Sequence, residues 1–280
     1  MKTDLAYKNQ IVGFENVSET VKVVEKIAAS SVHFLKLEVA SLRAYASGIE
    51  SVLARLSLYY KDNEHPLLKK KAGKRALIIL TGEKGLVGGL WQGLVSTVLD
   101  KKGLYDHLIV VGTKGSNYLK EEGVRVAQFF VSSIDLPDKK EITPVVDYVF
   151  GGFNKNLFSQ VDILYPQFIS LAEQAPAIVS FLPFQFVVEG KNSGAIGLPI
   201  FEPSKKEVYE RFLQKYISMY FHNIIIETKL SELSARMVAM EHASVKTDEF
   251  VKKFTFDYTK ARHRIATQKQ LESFAVHKII

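Results

Sequence analysis

The stretch "TGEKGLVGGLW", residues 81–91, is where chemistry would first be sought. It follows the strand-like "RALIIL" and leads into a helix-like segment. Backbone N–H groups at the start of a helix favour anions, so a phosphate cradle is the obvious reading. The spacing does not support it. A P-loop ends in Gly-Lys-Ser/Thr, whereas Gly88-Gly89 is followed by Leu90. A dinucleotide turn needs Gly-x-Gly-x-x-Gly and an acid about 20 residues on, and this stretch does not supply it. Gly85, Gly88 and Gly89 are therefore expected to serve a tight turn and close packing, not a cofactor.

Other chemistry finds little footing. There is no cysteine. That excludes disulfides, thiolate metal sites and cysteine nucleophiles. None of the seven histidines falls in a His-Glu-x-x-His spacing, and no Gly-x-Ser-x-Gly elbow is present. No catalytic constellation, metal site or cofactor is expected. The remaining signal is charge. Net charge is +7, which admits nucleic acid, an anionic membrane or an acidic protein as partner. Near the C-terminus "FVKKFTFDYTKARHR" interleaves cations with aromatics, as in single-strand binders. Phe250, Phe254 and Tyr258 recur every four residues, however, so they share one helix face and are expected to pack.

The elements that carry these residues follow from the breakers. All eight prolines lie between Pro66 and Pro203, and neither proline nor glycine occurs from Ser204 to Ile280. Proline costs about 3 kcal/mol inside a helix and glycine about 1. A long C-terminal helix is thus permitted, with Ser204 as N-cap. Phe212, Met219, Ile226, Leu233 and Met240 recur every seven residues, beside Tyr216, Asn223, Leu230 and Met237. In the N-terminal segment the seam is Val21, Ala28, Leu35, Leu42, Ile49 and Leu56. Its expected companion line is Val17, Val24, Ser31, Glu38, Tyr45, Val52 and Tyr59. Some 70 helical residues span roughly 100 Å, too long for a compact domain. Either the two chain ends form an antiparallel coiled coil, or they break into a bundle of shorter helices.

Between them, strand-like "RALIILTG", "HLIVVGTKG", "VRVAQFF", "QVDILYPQFI" and "PAIVSFLPFQFVV" surround helix-like "LWQGLVSTVLDKKG", "SNYLKEEG" and "PVVDYVFGGFNKNLFS". The last is expected to break at Gly151-Gly152. Such alternation predicts a parallel or mostly parallel sheet. The fold class is therefore α/β: a Rossmann-like domain over 66–203, an N-terminal coiled-coil helix over 1–65 and a C-terminal one over 204–280. No run reaches the roughly 18 apolar residues of a membrane span, so a soluble or peripheral protein is expected.

"SELSARMVAMEHAS" and "YTKARHRIATQ" resemble the C-terminal helix of the gamma subunit of F-type ATP synthases. "GEKGLVGGLW", "VVGTKG", His65-Pro66 and "VVEKIAAS" resemble other stretches of that family in order along nearly the whole chain. The resemblance implies a central-stalk rotor subunit, itself non-catalytic. Its partners would be the alpha and beta subunits of the hexamer, an epsilon subunit and a c-ring, with no nucleic acid and no membrane insertion. Peripheral attachment at the cytoplasmic face of a bacterial-type plasma membrane is implied, an organellar membrane remaining open. The alternative is a coiled-coil nucleic-acid-binding or scaffold protein.

Carried over residue by residue, the resemblance makes Lys26, Arg236, Arg262, His263, Thr267, Gln268 and Lys269 the expected contacts to the hexamer. Arg262 and its neighbour His263 would meet a beta-subunit loop. Lys26, Thr259, His263, Lys269 and Trp91 depart from the family pattern. Lys26 and Lys269 are expected to add charge close to Arg262.

Overall fold

The computed structural model describes residues 4–59, 65, 67–69, 71–132, 139–184 and 200–277. Ten elements follow in order. They are α1 (Asp4–Tyr59), β1 (Arg75–Leu80), α2 (Leu90–Asp100), β2 (His107–Val111), α3 (Thr113–Glu121), β3 (Gln128–Phe130), α4 (Lys139–Asn154), β4 (Gln160–Phe168), β5 (Gln174–Leu182) and α5 (Lys205–His277). The chain divides into two compact units, 1–30 with 236–280, and 31–235.

In the larger unit one five-stranded sheet has the order β3-β2-β1-β4-β5. β1, β2, β3 and β4 are parallel, and β5 runs antiparallel to β4. Side chains alternate across a strand, so β1 feeds two cores. Ala76, Ile78 and Leu80 join Ile109, Ile163 and residues of α4, α1 and α5. Leu77 and Ile79 meet Val110, Leu164, Trp91, Leu94 and Leu119 on the face covered by α2 and α3. Strands buried on both faces read as unbroken apolar runs, which is why "ALIIL" does not alternate.

β3 is shorter than the expected strand. The Val124 N–H bonds to Leu119 O at 2.8 Å, closing α3; the Ala127 N–H then reaches Leu108 O at 2.9 Å, and the ladder with β2 covers 128–130. The expected break at Gly151-Gly152 is absent, for α4 runs through both. A Cβ at Gly152 would lie 2.4 Å from the Phe158 ring. The glycine is there for close approach, not for a turn.

α5 starts as expected. Ser204 Oγ accepts the Glu207 N–H at 3.2 Å, an N-cap bond, and the same hydroxyl donates to the Glu207 carboxylate at 3.4 Å. Within this unit α1 and α5 run antiparallel. Val32 and Leu35 pack on Ile226, Leu230 and Leu233, while Glu50 interacts with Tyr216.

In the smaller unit the same pairing holds between 4–30 and 236–277. Phe14 stacks on Phe250 and Phe254 at 5.2 and 5.4 Å. Ser18 Oγ donates to Asp248 at 2.9 Å, and Lys22 pairs with the same carboxylate at 3.4 Å.

The seam differs from its expected form by one residue on one line. Ala28, Leu35, Ile49 and Leu56 are buried as expected. The companion line is Ser18, Val32 and Leu53, not Val17, Tyr45 and Val52, which are exposed. Offsets of three and of four both satisfy a heptad, and periodicity alone does not choose between them.

Candidate functional site

Two places in the fold were marked by the sequence: the glycine turn after β1 and the basic C-terminal helix. In open parallel sheets, ligands bind beyond the carboxyl ends of the strands where the strand order reverses. Here that point lies between β1 and β4, and the glycine turn leaves the end of β1.

The crevice is filled by the chain itself. A Cβ at Gly82 would meet the Trp91 ring at 2.8 Å and the Glu232 carboxylate at 3.0 Å. Trp91 is buried and donates its indole N–H to Lys84 O at 3.2 Å, holding the turn over the ring. Glu232 is ion-paired to Lys229 at 3.1 Å, and both are buried on α5. Among the described residues a cavity of about 20 Å³ is lined by Leu80, Thr81, Val111, Ser132, Ile225, Thr228, Lys229 and Glu232. That is room for one water, not a nucleotide.

The N-terminus of α3, at the carboxyl end of β2, already holds a carboxylate. Glu83 accepts the Thr113 N–H at 3.2 Å, the Thr113 hydroxyl, and the Ser132 N–H at 2.7 Å. Its carboxylate occupies the position at the start of α3 that a bound phosphate would take. Thr81 completes the junction. Its hydroxyl donates to Val111 O at 2.8 Å and accepts the Gly115 N–H at 3.1 Å. This forces two glycines: a Cβ at Gly112 would lie 2.4 Å from Thr81 O, and one at Gly115 2.6 Å from the Thr81 side chain.

The glycines singled out from sequence behave differently. A Cβ at Gly85 would make only ordinary contact with Lys114, 3.7 Å away. At Gly88 and Gly89 it would meet nothing within 4 Å. The packing expected of these two is not found; Gly88 instead answers to a left-handed backbone, φ 59°.

In the smaller unit α5 presents the basic face. Lys26, Arg262, His263, Thr267, Gln268 and Lys269 are exposed, whereas Arg236 is buried within the chain at 8% exposure. Arg236 therefore has little surface to offer a partner. The Arg262 guanidinium lies 5.9 Å from the Tyr258 ring centre, Thr267 donates to His263 O, and Gln268 donates to Glu272. Phe256, Ile265, Leu271 and Phe274 on α5, and Val12, Val23 and Ile27 on α1, add exposed apolar surface.

Lys26 does not join the Arg262 cluster. With Phe14 opposite residues 250–254, Lys26 and Arg262 depart in opposite directions and stand roughly 30 Å apart at 1.5 Å per residue. The expectation that Lys26 adds charge beside Arg262 is corrected accordingly.

Sequence reasoning passed over Glu83, Thr81, Lys229 and Glu232. Their signal is the Thr-Gly-Glu that ends a buried strand, and a Lys and a Glu three residues apart on one helix face.

Comparison with known proteins fits this geometry. The family model described as ATP synthase matches residues 5–272. The ATP synthase gamma chain of Nitrosospira multiformis is 27% identical over 278 residues, covering 95% of each chain. That of Dehalococcoides mccartyi is 29% identical over 273 residues, covering 95% of this chain and 94% of the relative. A chain of the Euglena gracilis mitochondrial ATP synthase, in an OSCP/F1/c-ring assembly, superposes with a TM-score of 0.68 at 16% identity, over 97% of this chain and 92% of that one. One from the central stalk and c-ring of the Tetrahymena thermophila enzyme gives 0.58 at 21% identity, over 80% and 99%. With the matching family model spanning nearly all of it, this chain belongs to the ATP synthase gamma-chain family.

Proposed function

We propose that this chain is the central-stalk rotor subunit of an F-type ATP synthase. It transmits torque between an ion-driven membrane ring of c subunits and a catalytic hexamer of alpha and beta subunits. The observation that carries this reading is the family match along nearly the whole chain. Helices of 56 and 73 residues, leaving an apolar and basic surface unpartnered, support it. The subunit itself is non-catalytic: its crevice is occupied by Glu83, Trp91 and Glu232 rather than open to a nucleotide. The relatives lend no support to a nucleic-acid-binding or scaffold role.

Residues 1–65 and 204–280 form the shaft, and 66–203 the base toward the ring and an epsilon subunit. Lys26, Arg262, His263, Thr267, Gln268 and Lys269 meet the hexamer, Arg236 serving chiefly to hold the shaft together. A shaft without threefold symmetry touches each beta subunit differently. Each angle favours a different set of nucleotide-site conformations, so contact energy at the shaft becomes nucleotide affinity on the hexamer. Hydrolysis runs the same linkage backward. The complex is membrane-bound and this subunit peripheral, on the cytoplasmic face of a bacterial-type membrane. No helix among the described residues is long and apolar enough to cross one.

Purification of the native complex through a tag on this chain tests the reading, with the subunits identified by mass. Alpha, beta, epsilon and c subunits should co-purify. Recovery of the chain without alpha and beta subunits would overturn it.

A further inference from the structure

The amino end of the sheet carries a surface that the crevice and the shaft leave unexplained. β2, β1 and β4 are parallel neighbours, with Ala76 beside His107 and Arg75 beside Gln160. The loops entering them, before Arg75, before His107 and before Gln160, therefore emerge side by side. They are tied together: Asp106 N–H to Arg75 O at 2.9 Å, Ser159 N–H to Lys74 O at 2.8 Å, and Lys71 Nζ to Asn156 at 2.9 Å. Lys69, Lys74, Lys101, Lys102 and Lys155 are exposed on these three loops. So are two leucines, Leu104 at 53% and Leu157 at 51%.

Acidic groups do little to cancel the lysines. The Asp162 carboxylate is buried and accepts from Arg75 at 2.9 Å and from Tyr105 at 3.0 Å. Asp106, which accepts the Arg75 backbone N–H, and Asp100 at the end of α2 are both exposed, two carboxylates against five lysines. Glu121 and Glu122 stand farther along, with Arg125, where the chain turns into the edge strand β3.

We propose that this end of the larger unit docks on the headgroups of an anionic phospholipid bilayer. The chemistry separates this from the other anions. An ordered carboxylate or phosphate site on a protein is usually met by the arginine fork, but Arg75, the arginine of these loops, is spent on Asp162. Single-stranded nucleic acid would need aromatic rings to stack on, and the exposed apolar groups here are leucines. Lysines around protruding apolar tips suit a fluid headgroup layer: ammoniums lie at phosphate depth and the leucines reach the acyl boundary. This is surface contact without a spanning segment, and it goes beyond the rotor reading, since the isolated chain should show it.

The test is co-sedimentation of the full chain with vesicles of phosphatidylcholine, alone or mixed with phosphatidylglycerol. The chain should bind the anionic vesicles only. Each lysine near such a surface is worth about fivefold in partitioning, so Lys101→Glu with Lys102→Glu should lower binding by more than about 25-fold. Lys260→Glu with Lys269→Glu, an equal charge change on α5, should leave most binding intact. Leu104→Ser with Leu157→Ser should remove the part that resists salt. Folding of each variant is followed by circular dichroism, and Lys→Gln replacements substitute for any that melts. Wild-type binding by the Lys101/Lys102 variant, or its loss in the Lys260/Lys269 variant alone, would overturn the proposal. So would binding of polyglutamate without binding of vesicles, which would assign the surface to an acidic protein.

Discussion

At the scale of single residues, the larger unit is organised around polar groups that fill space a ligand would otherwise take. Glu83 is the clearest. Its carboxylate satisfies two backbone N–H groups from two different loops, and charged hydrogen bonds of this kind contribute more than neutral ones. Glu83→Ala should cost about 1–3 kcal/mol in urea unfolding, with no gain of nucleotide affinity by calorimetry, because Glu232 and Trp91 still close the crevice. Micromolar nucleotide binding by the native chain would contradict this. The glycines give a graded series. Gly112→Ala must displace Thr81 and distort a backbone at φ 102°, and should destabilise by well over about 2 kcal/mol. Gly88→Ala pays only for its left-handed backbone, about 1 kcal/mol, and Gly89→Ala should be nearly silent.

The tyrosines set an alkaline limit. Burial, and then the neighbouring Glu227 and Tyr220 charges, push the Tyr165 hydroxyl up to about 12. Burial and Asp162 raise Tyr105 to about 12, and burial with Glu50 does the same for Tyr216. A tyrosine that is harder to ionise when folded favours the folded state while it is neutral. Its contribution is fully present below the ordinary value of 10 and is lost as pH rises from 10 to about 12. Stability should therefore fall steeply over that window, followed by tyrosinate absorbance with circular dichroism. Tyr165→Phe should shallow the fall.

At the scale of elements, the alternating strands and helices were readable because each apolar run is short and bounded by glycine or charge. β1, β2 and β4 appear where "ALIIL", "HLIVV" and "VDILY" predict them. The helical heptads were readable too, but only one of the two N-terminal lines. Val17, Tyr45 and Val52 are as apolar as a seam requires, yet they are exposed, because offsets of three and of four both satisfy a heptad and the packing, not the period, chooses between them. Leu35→Ala, at a fully buried position, should cost about 2–5 kcal/mol, while Tyr45→Ala should stay within about 0.5. Equal losses would return the seam to its expected line. The Lys229–Glu232 pair went unread for a different reason. An i,i+3 Lys–Glu pair ordinarily marks a solvated face, and here α5 is covered by the sheet domain.

At the scale of the molecule, the account is that binding energy on α1 and α5 is converted into nucleotide affinity on a surrounding hexamer. Arg262 is proposed above to belong to that surface. Exposed and far along α5, it should be dispensable for folding, and Arg262→Ala should leave the circular dichroism of the free chain unchanged. In the assembled complex it removes a charge-assisted contact worth about 1.5–3 kcal/mol, and less where water reaches it. Lys26 stands too far off to compensate. Steady-state hydrolysis and ion pumping should both fall, and salt should narrow the difference between mutant and wild type.

Rotation itself is the most direct test. The chain has no cysteine, so Ser96→Cys on the exposed side of α2 gives one labelling position on the base. A bead attached there, with the alpha and beta hexamer fixed to a surface, reports the angle of the chain during ATP hydrolysis. The account predicts rotation in one direction, in three dwells per turn, at a rate locked to hydrolysis. A hexamer that hydrolyses ATP while the bound chain keeps a fixed angle would contradict it.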